Sequence, residues 1–168
     1  MTSRSISAQQ NVRRGLYTDA ERARRDASIW TLVQGILAPI QFVVFLISVT
    51  LVIRYLVSGE GQLAADISII IKTFALYAIM ITGSIWEKVV FGKWLFADAF
   101  WWEDAVSMVV IALHTLYLGM LFFAVGTVEQ RMLIALAAYA TYAVNATQFL
   151  LKLRAARLEA QAPIGSAA

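Results

Sequence analysis

The sequence contains no cysteine, a single histidine and two prolines among its 168 residues. Without cysteine there is no disulfide, no thiolate nucleophile and no cysteine-ligated cluster, and one histidine excludes a zinc site built from several histidines. Charged residues are also scarce, at 15% of the chain, compared with roughly 25% in soluble domains. Any chemistry therefore depends on carboxylates, amides, hydroxyls and aromatic rings.

Hydrophobic residues make up 60% of the chain, and the mean hydropathy is +0.70. This composition predicts one small integral membrane protein, since a soluble domain is less apolar and two membrane domains need a longer chain. The net charge of +3 would suit an acidic partner. However, most basic residues lie in the two tails, where they orient a membrane protein, so we predict no nucleic-acid binding.

Four apolar stretches reach the roughly 20 residues that a helix needs to cross a bilayer. They cover about 30–57, 67–87, 102–125 and 128–151, flanked by tails at 1–29 and 153–168. In the first tail, Thr18 and Glu21 have the spacing of a capping box, which predicts a short interfacial helix ending near Ser28. Pro163–Ala168 is predicted to be disordered. The predicted fold is all-α, an integral membrane four-helix bundle.

The basic residues also predict the orientation of the bundle. The two tails together with Lys152, and the 87–104 connection, carry eleven lysines and arginines, whereas only Arg54 and Arg131 lie towards the other side of the membrane. Because positive charge accumulates on the cytoplasmic side, both termini are predicted to be cytoplasmic. Lys72, inside the second span, is expected to extend its amine to the membrane surface.

The stretch from Trp86 to Asp104 holds four of the five tryptophans, four acids and two lysines. One interpretation is a solvated loop with tryptophan and lysine as ordinary interface anchors. Its aromatic residues are too dense for an exposed loop, so we favour a connection folded onto the bilayer surface as a wall or lid over a pocket.

Polar residues of all four spans converge at a similar depth near this connection. They are Gln34 and Gln41 in the first span, Glu87 in the second, Glu103, Asp104 and Ser107 in the third, and Asn145 and Gln148 in the fourth. Polar groups inside a bilayer are costly unless they face the bundle, so they predict a polar pocket open to the cytoplasm. For the two glutamines of the first span, an interfacial role is an equal alternative.

His114 lies about 16 Å deeper than Glu103, since a helix rises 1.5 Å per residue. Three roles are open for it: a hydrogen bond between packed helices, an axial ligand to a chelated metal, or proton handling.

Several runs together resemble the vinyl bacteriochlorophyllide hydratase family. They are WTLVQG at 30–35, YAIMITGSIWEKVVF at 77–91, FWWED at 100–104, ALHT at 112–115 and LAAYATY at 136–142. The resemblance covers about residues 15–158. It implies a hydro-lyase of bacteriochlorophyll biosynthesis that converts the C3 vinyl group of a chlorophyllide or bacteriochlorophyllide to a 1-hydroxyethyl group. It also implies a bacterial inner membrane, with other pigment-biosynthesis enzymes as candidate partners.

Hydration of such a vinyl group can proceed by protonation of its terminal carbon, after which water attacks the inner carbon. This requires an acid that is protonated at neutral pH and a group that orients water. Carboxyl groups close together in a partly apolar site can supply both. Our hypothesis makes Glu103 the acid, hydrogen-bonded to Ser107, with Glu87 orienting water and Asp104 as the third candidate.

Eight residues are predicted to bind the substrate, two of them as aromatic walls. They are His114, Trp86, Trp102, Ser107, Gln34, Gln41, Asn145 and Gln148. We expect no metal site and no cofactor beyond the magnesium that the substrate carries, because hydration is redox-neutral. The alternative is a non-catalytic pigment-binding or photosynthetic assembly protein, which needs aromatic walls and an axial ligand but no acid.

Overall fold

The computed structural model describes residues 15–161 and confirms the all-α membrane bundle. Its helices are α1 (Asp19–Ala27), α2 (Ile29–Ser58), α3 (Gln62–Phe91), α4 (Trp101–Phe122) and α5 (Val128–Gln161). Helices α2 to α5 are each long and apolar enough to cross a membrane, and residues 15–161 contain no strand. Residues 1–14 of the first tail and the predicted disordered segment Pro163–Ala168 lie outside the described residues.

Helix α1 begins with the predicted capping box. The Thr18 hydroxyl accepts the Glu21 N–H at 3.3 Å, and the Glu21 carboxylate accepts the Thr18 N–H at 2.8 Å. These bonds satisfy backbone donors that have no partner inside the helix. Arg24 donates from Nε to the Val90 carbonyl at 2.8 Å, so α1 packs against the end of α3.

The observed helices differ in length from the apolar stretches. Helix α3 is longer at both ends, α4 ends three residues before position 125, and α5 continues ten residues past 151. Polar residues can extend a helix beyond the hydrocarbon core, and a hydropathy criterion does not detect that extension. Gly59 and Gly92 stop α2 and α3 with φ of 73° and 80°, a left-handed conformation that glycine adopts without a Cβ clash.

The four long helices form two antiparallel pairs, α2 with α3 and α4 with α5, and α3 and α4 pack together less closely than either pair. We call the end of the bundle where α3 ends and α4 begins the Glu87 end. The opposite end, which contains the α2–α3 and α4–α5 turns, is the Asp66 end. Helix α1 lies at the Glu87 end.

One expectation about the second span is wrong. Lys72 is completely buried, and its amine lies 3.7 Å from the centroid of the Tyr142 ring. The side chain points into the bundle instead of extending along α3 to the membrane surface.

Candidate active site

The 92–100 connection is attached to the bundle through two carboxyl groups. The Phe96 N–H donates to Asp104 Oδ2 at 2.7 Å, and the Ala97 N–H donates to Glu87 Oε2 at 3.1 Å. Phe96 has a φ of 57°, in the left-handed region where a bulky side chain is strained. Strained residues persist where their surroundings hold them, and here the bond to Asp104 holds this turn in place.

The carboxyl groups of Glu87 of α3 and Asp104 of α4 lie within hydrogen-bonding reach of each other. Their exposed fractions are 5% and 3%, so little water reaches them. A hydrogen bond between two carboxyl groups needs a proton on one of them, since an ionised carboxylate can only accept. Two adjacent carboxyl groups that share a proton are a familiar acid–base unit in enzymes.

A groove of about 440 Å³ separates α3 from α4 beside this pair. That volume lies in the roughly 300–1,000 Å³ range of small-molecule sites. The groove is open to the outside of the bundle, and its lining is almost entirely apolar. The lining residues are Met80, Ile81, Ser84 and Ile85 of α3, Trp94 and Leu95 of the connection, and Met108 and Ile111 of α4.

The carboxyl pair lies at one end of this groove. Ser84 and Met108 line the groove one helical turn from Glu87 and Asp104 respectively, on the same helix faces. Near the other end, α3 and α4 are joined by a 2.7 Å hydrogen bond between the Tyr77 and Thr115 hydroxyls. Ten residues of α3 separate the two cross-links, a length of about 15 Å. The site can therefore hold an elongated apolar molecule with one end against the acids.

Glu103, the acid of our sequence-based hypothesis, has a different partner. Its Oε2 lies 2.5 Å from Lys152 Nζ, and the same amine donates to the Ala99 carbonyl. Lys152 belongs to the part of α5 that extends beyond the predicted span. The Glu103 carboxylate is thus directed towards α5, whereas Glu87 and Asp104 face each other between α3 and α4.

Ser107 and Asn145 link α4 to α5. The Ser107 hydroxyl donates to Asn145 Oδ1 at 3.2 Å, and Asn145 Nδ2 donates to the Glu103 carbonyl at 2.8 Å. The hydrogen bond expected between Ser107 and the Glu103 carboxyl is therefore replaced by one to a neighbouring helix.

Gln34 and Trp86 link α2 to α3. Gln34 donates to the Thr82 hydroxyl at 2.7 Å, and the Trp86 indole donates to the Thr31 hydroxyl at 2.9 Å. Trp102, by contrast, is 69% exposed.

The side-chain oxygens of Gln41 and Gln148 are buried without a hydrogen-bond partner among the described residues.

His114 lies in the bundle core, only 1% exposed. Its Nδ1 is 2.8 Å from the Val110 carbonyl. Because a carbonyl can only accept, Nδ1 carries a proton.

None of the eight predicted substrate-binding residues is among the groove-lining residues. The structure brings together Glu87, Asp104 and the 92–100 connection, all three singled out from the sequence, and adds an apolar groove that the sequence did not indicate. An apolar residue that lines a groove and one that faces lipid have the same sequence signal.

Comparison with known proteins gives a family match across most of the chain. A family model described as 2-vinyl bacteriochlorophyllide hydratase matches residues 17–155. A protein of that name from Rhodobacter capsulatus is 62% identical over 154 residues, covering 92% of this chain and 90% of the relative. One from Cereibacter sphaeroides is 65% identical over 149 residues, covering 89% and 92%. No solved structure matches.

Proposed function

Since the chain belongs to the 2-vinyl bacteriochlorophyllide hydratase family, we propose that it adds water to the vinyl group of a chlorophyllide or bacteriochlorophyllide. The product carries a 1-hydroxyethyl group, and the reaction is a step of bacteriochlorophyll biosynthesis. The observation that supports this most is the pair of buried, adjacent carboxyl groups Glu87 and Asp104 at the end of an apolar groove.

The macrocycle lies in the groove with its vinyl group towards the pair. The proton shared by Glu87 and Asp104 passes to the terminal vinyl carbon, and the resulting cation on the inner carbon is delocalised into the ring system. Water then forms the C–O bond to the inner carbon, and its released proton returns to the carboxylate pair. Atoms and charge balance, and the pair is regenerated.

The surroundings of the pair support this assignment. Trp94 and Leu95 form the wall of the groove contributed by the connection, and the N–H groups of Phe96 and Ala97 fix one oxygen of each acid. Catalytic groups held by backbone donors need little reorganisation during the reaction. Glu103 with Lys152 positions the first turn of α4, which carries Asp104.

The test is turnover in labelled water. Membranes from a host without tetrapyrrole hydratases, expressing this chain, are supplied with vinyl bacteriochlorophyllide in ¹⁸O-water. We expect a pigment that has gained one water and carries the label in its new hydroxyl group. Pigment that binds to the membranes but stays unchanged would indicate a binding or assembly protein instead. The matched control is the same host expressing the Glu87→Gln/Asp104→Asn double variant.

We propose that the reaction needs no metal or organic cofactor beyond the magnesium of the substrate, because adding water is redox-neutral and the carboxyl pair supplies the acid. Activity should therefore withstand a chelator that leaves the substrate magnesium in place. Loss of activity with this chelator, followed by recovery on adding a free divalent ion, would contradict the proposal.

We also propose that the bundle lies in the bacterial inner membrane with both termini in the cytoplasm. The eleven-to-two distribution of lysine and arginine supports this orientation. A reporter that is active only in the cytoplasm should be active when fused after Ala168. A reporter that is active only in the periplasm should be inactive at the same position. Periplasmic activity would place the carboxyl pair near the opposite side of the membrane.

A further inference from the structure

Lys72 occupies an unusual position for a lysine in a membrane protein. Its exposed fraction is zero, and its amine has no hydrogen-bond partner among the described residues. The amine lies over the face of the Tyr142 ring, 3.7 Å from the ring centroid. An ammonium group inside a bilayer is costly unless a counter-charge or several hydrogen bonds offset its lost hydration.

The nearest acid on α3 does not neutralise Lys72. Asp66 accepts the Tyr117 hydroxyl at 2.5 Å on one oxygen and the Gln62 amide at 3.3 Å on the other. A second polar group in this region is also without a partner. His114, whose Nδ1 bonds to the carbonyl of Val110, has a buried Nε2 with no hydrogen-bond partner among residues 15–161. Two buried, unpartnered polar side chains in one region indicate a ligand site.

This region lies directly behind the groove. The Tyr142 ring, over which the Lys72 amine lies, forms a buried cluster with Leu76 and Val110. Met80 and Ile111 pack against that cluster and also line the groove. One layer of apolar side chains therefore separates the amine from the groove. Leu76 lies eleven residues from Glu87 along α3, which is about 16 Å.

We propose that Lys72 binds the carboxylate of the substrate, an inference that rests on the proposed function. A chlorophyllide has one free propionate, on a different pyrrole ring from the vinyl group, so its carboxylate lies well away from the reacting carbon. With the vinyl group at Glu87 and Asp104, the propionate enters between Met80 and Ile111 and pairs with the Lys72 amine. The enzyme would then prefer the free acid over the esterified pigment.

The experiment compares two ligands and two proteins. Vinyl bacteriochlorophyllide and its methyl ester are titrated into nanodiscs containing wild-type protein or Lys72→Met, and binding is followed by tryptophan quenching, corrected for partitioning into empty discs. A hydrogen bond to a charged group contributes enough for a roughly ten- to hundredfold effect. Wild type should therefore bind the acid about ten- to hundredfold more tightly than the ester, and Lys72→Met should bind both as weakly as wild type binds the ester.

Equal affinity of wild type for acid and ester would overturn the proposal, and this arm requires no variant to fold. An equal loss for both ligands in Lys72→Met would also overturn it, because it would show a structural role. Lys72→Arg should retain the preference, as should the control Lys93→Met, which removes an exposed amine paired with Asp98. Selective binding of the acid without turnover would leave the Lys72 site standing and contradict the hydratase function.

Discussion

The two ends of the bundle both bury polar side chains, but they do so differently. At the Asp66 end, the Tyr117 hydroxyl donates to Asp66 at 2.5 Å, and Ser48 is hydrogen-bonded to Ser68 at 2.7 Å and to Tyr139 at 2.5 Å. These groups satisfy one another within the core. Such closed networks stabilise a particular packing of helices.

At the Glu87 end, the polar groups hold a strained connection beside a groove. Phe96 has a left-handed backbone. Asp104 accepts the Phe96 N–H, and Glu87 accepts the Ala97 N–H. Strain next to an open site is characteristic of functional regions. The comparison teaches that burial of acids does not identify a site; their position beside the groove does.

The largest expected effect comes from the carboxyl pair. Glu87→Gln and Asp104→Asn keep the size of each side chain but remove the transferable proton, and general acid catalysis contributes about 10²–10⁴-fold in rate. Each should slow single-turnover hydration at least about a hundredfold while pigment binding remains. Asp66→Asn is the matched control from the other end and should leave turnover near wild type. A comparable loss of hydration rate in Asp66→Asn would contradict the functional difference between the two ends of the bundle.

Lys152→Met should have the next largest effect. It leaves the Glu103 carboxylate, only 5% exposed, without its ion-pair partner and releases the Ala99 carbonyl, so the start of α4 shifts. We expect about a tenfold loss in kcat/KM, together with a free energy of unfolding lowered by about 1–3 kcal/mol. Lys152→Arg should recover most of both quantities. Full activity in Lys152→Met would show that the ion pair does not position Asp104.

At the Asp66 end, Tyr117→Phe should change stability alone. The variant removes the hydroxyl that donates to Asp66, so the free energy of unfolding in detergent should fall by about 1–2 kcal/mol. Its hydration rate should remain that of wild type, because the Asp66 network is remote from the groove. If the hydration rate of Tyr117→Phe fell by more than its lower stability can explain, the Asp66 end would also participate in the reaction.

The smallest and sharpest comparison uses two glycines. Gly59 and Gly92 have φ of 73° and 80°, and a Cβ on either would meet no atom within 4 Å. Alanine at each should therefore lower the free energy of unfolding by a similar amount, about 1 kcal/mol. Gly92→Ala should also slow turnover a few-fold, because Gly92 leads into the connection that holds the acids. An equal loss of turnover rate in Gly59→Ala would contradict the specific link between Gly92 and the reaction.

The sequence was sufficient for much of the fold. Apolar length predicted the four spans, and the spacing of Thr18 and Glu21 predicted α1. The density of aromatics and acids between residues 86 and 104 correctly indicated a folded connection. Each of these signals comes from residues close together in the chain, so it can be detected in a single sequence.

The remainder depends on how the helices are rotated and aligned against one another. Lys152 pairs with Glu103 across 49 positions, and no local pattern links the two. Lys72 points inward because of the rotation of α3, whereas hydropathy reports only that it lies within a span. Groove residues such as Met108 and Ile111 look identical to lipid-facing ones until α3 and α4 are seen to diverge.

The central claim is that Glu87 and Asp104 share the proton used in hydration. Infrared spectra of the protein in nanodiscs at neutral pH test it directly, because a protonated carboxyl group has a carbonyl stretching band that a carboxylate lacks. We expect such a band in wild type, lost or shifted in both Glu87→Gln and Asp104→Asn and unchanged in Glu103→Gln. A band that disappears only in Glu103→Gln would contradict the account and assign the proton to Glu103.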